Sequence, residues 1–195
     1  TCKQILVLCG SGNNAGDGYI IAGLAKRRGF SVQLYFLCTP EKLKNDALLA
    51  YKYSQESGVE CLPFTDKLEP ILSTTHDVVI IDALLGTGLN SEVTGLYLTA
   101  IEYCNQSFAP ILSIDIPSGL SANTGQALGL AIEASCTATF IGLKFGLFTG
   151  EGRHHCGKIM YDDLGITQDI FQKAPCIAHK LSLSKQIKKL SPRRA

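Results

Sequence analysis

Apolar and polar positions alternate in blocks along this chain. Gln4 to Cys9 is a continuous apolar run, the pattern of a strand covered on both faces. The spacing predicts a helix over Ala15 to Arg28, with Ile20, Ile21 and Leu24 as its apolar stripe and Gly29 as its stop. Val32 to Cys38 reads as a second strand. Pro40 to Ser57 reads as a second helix, with proline near its start and Gly58 after its end. A short strand near Val59 to Leu62 and a helical turn over Lys67 to Ser73 follow. Strands are then predicted over Asp77 to Ile81, Pro110 to Ile114 and Cys136 to Leu143, with a short one at Lys158 to Tyr161. Helices are predicted over Gly95 to Gln106 and, on a weaker pattern, Gly125 to Ala134. Leu164 to Phe171 reads as a loop with a short helix.

Strand and helix alternating at this spacing predict an α/β domain, a parallel sheet with helices on both faces. Ligands of such sheets lie outside the carboxyl ends of the strands. The polar clusters of this chain fall just after strands: the glycine-rich loop after the first, Asp82 after another, Asp115 after a third and Lys144 after a fourth. Four loops are therefore expected on one rim.

Composition narrows the function classes. The 195 residues are enough for one domain with an appended tail. Net charge is +1, but Lys185, Lys188, Lys189, Arg193 and Arg194 all fall in the basic tail, so the body is acidic. That argues against a nucleic-acid binder, which needs a basic face. No apolar run reaches membrane-spanning length. The eight cysteines form no C-x-x-C pair and mostly sit in apolar runs. They read as reduced, buried thiols of a cytoplasmic protein. The regular pattern fades after Ala174, which places a domain over 1–174 and a linker over 175–195.

Gly10-Ser11-Gly12-Asn13-Asn14-Ala15-Gly16-Asp17-Gly18 follows an apolar strand and opens a helix. Glycines allow close backbone approach, and a helix N-terminus offers free N–H groups to a phosphate. Two features separate it from an ordinary dinucleotide fingerprint. Its insert is Asn13-Asn14, and no acid ends the second strand to grip a ribose. The bland alternative is a turn that caps a helix.

Asp82-Ala83-Leu84-Leu85-Gly86-Thr87-Gly88 places a carboxylate at a strand end before a tight turn; it either binds a cation and ligand or caps the turn. In Asp115-Ile116-Pro117-Ser118-Gly119, Pro117 stiffens the turn. The G-x-S-x-G elbow of a hydrolase is absent, so Ser118 reads as an oxygen ligand. Asn14, Asp82 and Ser118 are hard oxygen donors from three loops, suited to a hard cation. With a single carboxylate, the set suits potassium. Lys144 could neutralise a phosphate or donate a proton, or be an exposed strand-end lysine. Gly150 to Arg153 reads as a flexible charged turn.

Taken in order, Cys9 to Gly18, Asp82 to Gly88, Asp115 to Leu120 and Gly142 to Leu147 resemble the YjeF N-terminal domain family, the NAD(P)H-hydrate epimerases. The resemblance implies a Rossmann-like three-layer αβα sandwich with a mostly parallel sheet. It implies an isomerase that interconverts the R and S forms of hydrated NADH or NADPH, which are its substrate. One potassium ion would be held by Asn14, Asp82 and Ser118. Substrate contacts would come from Asn13, Asn14, Ala15, Gly16 and Asp17, from Gly86, Thr87, Gly88, Leu89, Asn90, Ser91 and Glu92, and from Asp115. Asp115 is assigned as the acid/base group, with Lys144 assisting. In the first loop, the family's usual proline and one of its usual glycines are Ser11 and Ala15 here, the latter narrowing the backbone options. Helices before the first strand are expected to be missing. The 175–195 segment resembles a linker to a dehydratase domain of bifunctional members. A homo-oligomer is implied, with no nucleic-acid or membrane partner. The alternative is a non-catalytic ligand-binding or scaffold relative of the same fold.

Overall fold

A computed structural model describes residues 3–69 and 77–173. The predicted turn at Lys67 to Ser73 falls partly, and the 175–195 linker wholly, outside them. The chain divides into two compact units after Leu164. In the first unit the elements run β1 (Gln4–Cys9), α1 (Asn13–Arg27), β2 (Ser31–Phe36), α2 (Asn45–Glu56), β3 (Glu60–Pro63), β4 (Val78–Ala83), α3 (Gly95–Gln106), β5 (Ile111–Ile114), β6 (Cys136–Phe140), α4 (Gly152–His155) and β7 (Lys158–Asp162). The second unit holds α5 (Gln168–Lys173).

The strands form one sheet in the order β3-β2-β1-β4-β5-β6-β7. Every neighbouring pair is parallel. The chain builds outward from β1 to β3, then jumps to β4 and builds the other way. The loops after β1 and β4 therefore diverge, which opens a crevice where such sheets take their ligands. Strand side chains alternate between two apolar cores. Val7, Cys9, Ile81 and Ala83 pack under α1 and α2. Leu6, Leu8 and Ile80 pack under α3. This is the αβα arrangement expected from the sequence.

The burial of α1 differs from its apparent stripe. Ile20 and Leu24 are 37% and 39% exposed. The buried face is made of small residues around Tyr19: Ala15, Gly16, Gly18, Ala22, Gly23 and Ala25. A Cβ at Gly18 would stand 2.6 Å from the Ala83 side chain, and one at Gly23 would stand 2.6 Å from the Tyr53 ring. Close approach to β4 and α2, not bulk, decides which face is buried. Periodicity marks Ile20 and Leu24 as apolar, but cannot tell a core from a ligand wall.

Two other expectations are corrected. Gly125 to Ala134 forms no helix. Gly125 and Gly129 take φ of +73° and +89°, outside the helical region. Leu120 instead pairs antiparallel with Ala127. The strand over Cys136 to Leu143 stops at Phe140, because Ile141 has φ +66° and turns the chain. That turn brings Lys144 back over the end of β6.

Candidate active site

The first group of polar residues lies where the loops after β1, β4 and β5 meet. Asp82, last but one in β4, is fully buried. It accepts hydrogen bonds from Ser113 Oγ (2.7 Å), Ser118 N (2.9 Å), Leu84 N (3.3 Å) and Ser118 Oγ. No basic residue pairs with it among the described residues. Burial pushes its carboxyl above the usual carboxylate range, while its hydrogen bonds pull the other way. Ser118, also fully buried, accepts from Leu85 N at 2.8 Å. Asn14, in the first turn of α1, donates from Nδ2 to Leu85 O at 2.9 Å. This contact fixes the amide orientation. It leaves Asn14 Oδ1 buried with no hydrogen-bond partner, a costly state for a carbonyl oxygen.

Leu85, which sequence reasoning passed over, therefore ties Asn14 to Ser118 through its backbone. No side-chain chemistry marks such a residue. The orphaned Asn14 oxygen and the Asp82 carboxyl without a basic partner fit a hard cation of low charge. Among the described residues, no three His, Cys, Asp or Glu side chains converge in a metal-binding cluster. Amide, hydroxyl and a single carboxylate are the donors on offer.

The loop carrying Ser118 is held by backbone packing. Gly119 has φ +93°, and a Cβ there would lie 2.1 Å from Leu130 O. The same compact corner uses Gly125, Gly146 and Gly152, each with backbone oxygen within 2.1 Å of a built Cβ. Gly150 to Arg153 is thus not a free charged turn. Gly152 opens α4, and Glu151 accepts from Ala127 N at 3.1 Å. Gly119→Ala combines backbone strain with a clash, so it should cost about 2–5 kcal/mol. Urea unfolding measures that loss, and a midpoint equal to the parent would contradict it.

The second group is built on β5 and β6. Asp115 follows β5 in a left-handed conformation, φ +68°. Its N–H donates to Ala138 O at 2.7 Å. Lys144 forms an ion pair with Asp115 Oδ1, the two side chains being 17% and 21% exposed. The ammonium also donates to Phe140 O (2.9 Å) and Thr139 Oγ1 (3.1 Å). Thr139 Oγ1 in turn donates to Asp115 Oδ1 at 3.3 Å. Thr139 and Ser113 are residues the sequence did not single out. Their signal is a hydroxyl at a fully buried strand position, legible only once burial is known. The left-handed Asp115 is sustained by these surroundings, and strain of this kind is concentrated at functional sites.

Asp115 and Lys144 line a cleft of ≈ 870 Å³. Its α1 wall carries Asp17, Ile20, Ile21 and Leu24. Its facing wall comes from Ile114, Asp115 and Phe140 to Lys144, with Thr87 also lining it. The two exposed apolar residues of α1 thus belong to a ligand-sized groove.

The remaining sequence-predicted residues divide by placement. Asn14, Ala15 and Gly16 are buried in the first turns of α1, and Asn13 is exposed at its start. Ala15 is helical, so the narrowing expected of alanine in place of glycine is not felt. Gly86 packs against Asn14, a built Cβ lying 3.3 Å from Asn14 Cβ. Leu89 packs into the core under α3. Gly88, Asn90, Ser91 and Glu92 are exposed around the following turn. Of the predicted substrate contacts, Asp17, Thr87 and Asp115 line the cleft itself. Cys9 is buried, with its thiol pushed well up by burial, as a core cysteine should be. Six cysteines are free among the described residues.

A seven-stranded parallel sheet whose order reverses beside a glycine-rich loop, with a polar-ended apolar cleft at its carboxyl rim, defines a doubly wound α/β domain with its crevice at the topological switch point. Residues 1–146 match the family described as YjeF-related protein N-terminus, and the chain belongs to that family. It is 38% identical over 170 residues to the "Bifunctional NAD(P)H-hydrate repair enzyme Nnr" of Coxiella burnetii, covering 87% of this chain and 34% of that protein. It is 42% identical over 164 residues to the Escherichia coli protein of the same name, covering 84% and 31%. It is 37% identical over 163 residues to the "NAD(P)H-hydrate epimerase" of Levilactobacillus brevis, covering 84% and 73%. The chain therefore spans about a third of the bifunctional relatives and most of the single-activity one. The crystal structure of yeast ynu0 shares the fold at a TM-score of 0.64 and 18% identity, over 82% of this chain and 65% of that one. Among the described residues no helix is long and apolar enough to cross a membrane.

Proposed function

We propose that the chain is the epimerase domain of a nicotinamide-nucleotide repair enzyme, interconverting the R and S hydrates of NADH and NADPH. The observation that carries this reading is Asp115. It is held in a left-handed backbone conformation and paired with Lys144 at the polar end of an apolar cleft. The hydrated ring can expel its 6-hydroxyl with help from the ring nitrogen lone pair, leaving a planar iminium. Water then adds to the opposite face. Asp115 serves as acid/base at the 6-oxygen, and Lys144 holds its carboxylate in orientation through their ion pair. Thr139 holds both partners in register. The apolar walls favour the uncharged ring and keep bulk water from it. The names of the relatives support the same substrate.

Phosphates are assigned to the glycine-rich loop and the start of α1, where the first-turn N–H groups point outward. The Gly86 to Glu92 turn closes on the remainder of the dinucleotide. Asn14, Asp82 and Ser118 would hold one potassium ion, which satisfies the Asn14 oxygen, balances the Asp82 charge and pins the loops together. The domain functions in the cytoplasm, which the free thiols support, as a homo-oligomer. The bifunctional relatives support a linked dehydratase domain in the parent protein.

The test supplies R-hydrate together with an S-specific dehydratase and follows cofactor recovery. The chain should accelerate R-hydrate consumption far beyond spontaneous epimerisation, and more in potassium than in sodium. No acceleration in either salt rejects the reading.

A further inference from the structure

Inversion at a ring carbon poses a problem that Asp115 alone does not solve. Hydroxide leaves one face of the planar intermediate, and water enters the other. Each event needs a proton-transfer group on its own side of the ring. Asp115 and Lys144 are both fixed to one wall of the cleft, by Thr139, Phe140 and Ala138 on β6. The facing wall is α1, and its single ionisable residue in the cleft is Asp17.

Asp17 stands one helical turn before Ile20 and Ile21, on the same wall. No ion pair involves it among the described residues. Although the residue as a whole is exposed, partial burial desolvates its carboxyl, and this pushes its pKa above the usual carboxylate range. The negative charge of Asp115 across the cleft adds to the shift. The titratable groups lining the cleft are thus Asp17, Asp115 and Lys144. Two carboxylates there have different surroundings. One carries an ammonium on its oxygen, and the other has no ion-pair partner among the described residues and faces a like charge in the cleft. Such divided environments separate an acid from a base.

We propose that Asp17 is the second catalytic carboxyl group of the epimerase, transferring protons on the α1 face of the ring while Asp115 works on the sheet face. This rests on the epimerase reading above. In one direction, the C6–O bond breaks as the ring nitrogen lone pair forms a C=N bond. The departing hydroxide takes the proton of Asp17 and leaves as water. Water on the Asp115 side then forms a new O–C6 bond, and the C=N electrons return to nitrogen. The proton released by that water passes to Asp115. The product has the opposite configuration, no redox change occurs, and the enzyme is left with Asp17 ionised and Asp115 protonated. That is the state the reverse reaction requires, and proton exchange with solvent resets it for another forward turnover. The role requires the ring to lie between Ile20 and Leu24 on one wall and Ile141 and Leu143 on the other, with C6 toward the two carboxyl groups that line the same cleft.

The full chain is assayed for R-to-S conversion and for S-to-R conversion, with kcat and KM measured separately. Asp17→Asn retains the shape of the side chain on an exposed helix position. It should lower kcat in both directions by about 10²–10⁴-fold, with KM changed little. Thermal unfolding should coincide with the parent, which separates catalysis from folding. Asp17→Glu, which keeps the acid, should recover part of the loss. A parental kcat in Asp17→Asn, or a loss carried wholly by KM, overturns the second-carboxyl role. A parent chain that converts neither hydrate overturns the epimerase reading instead.

Discussion

Asp115→Asn leaves the fold and the affinity for the hydrated dinucleotide intact and lowers epimerisation by about 10²–10⁴-fold, the usual share of a general acid/base group. Asparagine is the informative replacement because position 115 has φ +68°. Asparagine shares with aspartate a tolerance for this region that other side chains lack. The amide keeps an oxygen for Thr139 Oγ1, which donates at 3.3 Å, and for Phe140 N, at 3.4 Å. What it removes is the charge opposite Lys144 and the ability to exchange a proton. Its ammonium retains Phe140 O and Thr139 Oγ1, so the lysine is not set loose. Equilibrium binding of the hydrate, measured by calorimetry, should stay within a few-fold of the parent while the coupled assay falls. Parental turnover in this variant would remove Asp115 from the reaction.

Asp82→Asn should weaken the fold in potassium buffer by about 1–3 kcal/mol, the cost of stranding a buried donor. The reason lies in how the four hydrogen bonds are shared. Oδ1 receives Leu84 N and Ser118 Oγ, while Oδ2 receives Ser113 Oγ and Ser118 N. Each oxygen thus faces one backbone N–H, a group that can only donate. Either orientation of the asparagine amide turns its own donor toward one of them. An opposing gain exists, since a fully buried charge without a basic partner is removed. That gain is largest where no cation balances the carboxylate. The loss should therefore be smaller in sodium than in potassium, and the potassium-dependent rise in melting temperature should vanish. For a domain of this size, 1 kcal/mol moves the midpoint by roughly 2–4 °C, well within calorimetric resolution. An equal potassium increment in parent and variant would exclude Asp82 from the cation site.

On the proposed reading, function is divided over the rim. Asp82 faces inward, each of its oxygens hydrogen-bonded to the chain after β4 or β5 or to β5 itself, where it ties those segments together. Asp115 and Asp17 face the cleft, one paired with lysine and the other not. The glycine-rich loop serves both tasks at once. Asn14 reaches back to Leu85, while Asp17, one turn along the same helix, reaches the cleft.

The alternation of apolar strands with helices was enough to establish the parallel α/β architecture, because a strand buried on both faces leaves a continuous apolar run. The end of β1, the bounds of α3 and the four rim loops follow from local signals: a glycine after an apolar run, or a carboxylate closing a strand. The sequence also picked out Asn14, Asp82, Asp115, Ser118 and Lys144 by residue type and position. Local pattern could not show that Ile20 and Leu24 face a cleft. The choice is made by Gly18 and Gly23, whose missing Cβ atoms let α1 approach β4 and α2 on its other side. Nor could it show that Gly125 to Ala134 is irregular, since that segment is held by contacts with Glu151 and Asn105, distant along the chain. The pairing of Asp115 with Lys144 depends on the positive φ of Ile141, imposed by the turn out of β6. Tertiary packing decided those points because each balances one contact against another, and the partner lies tens of residues away.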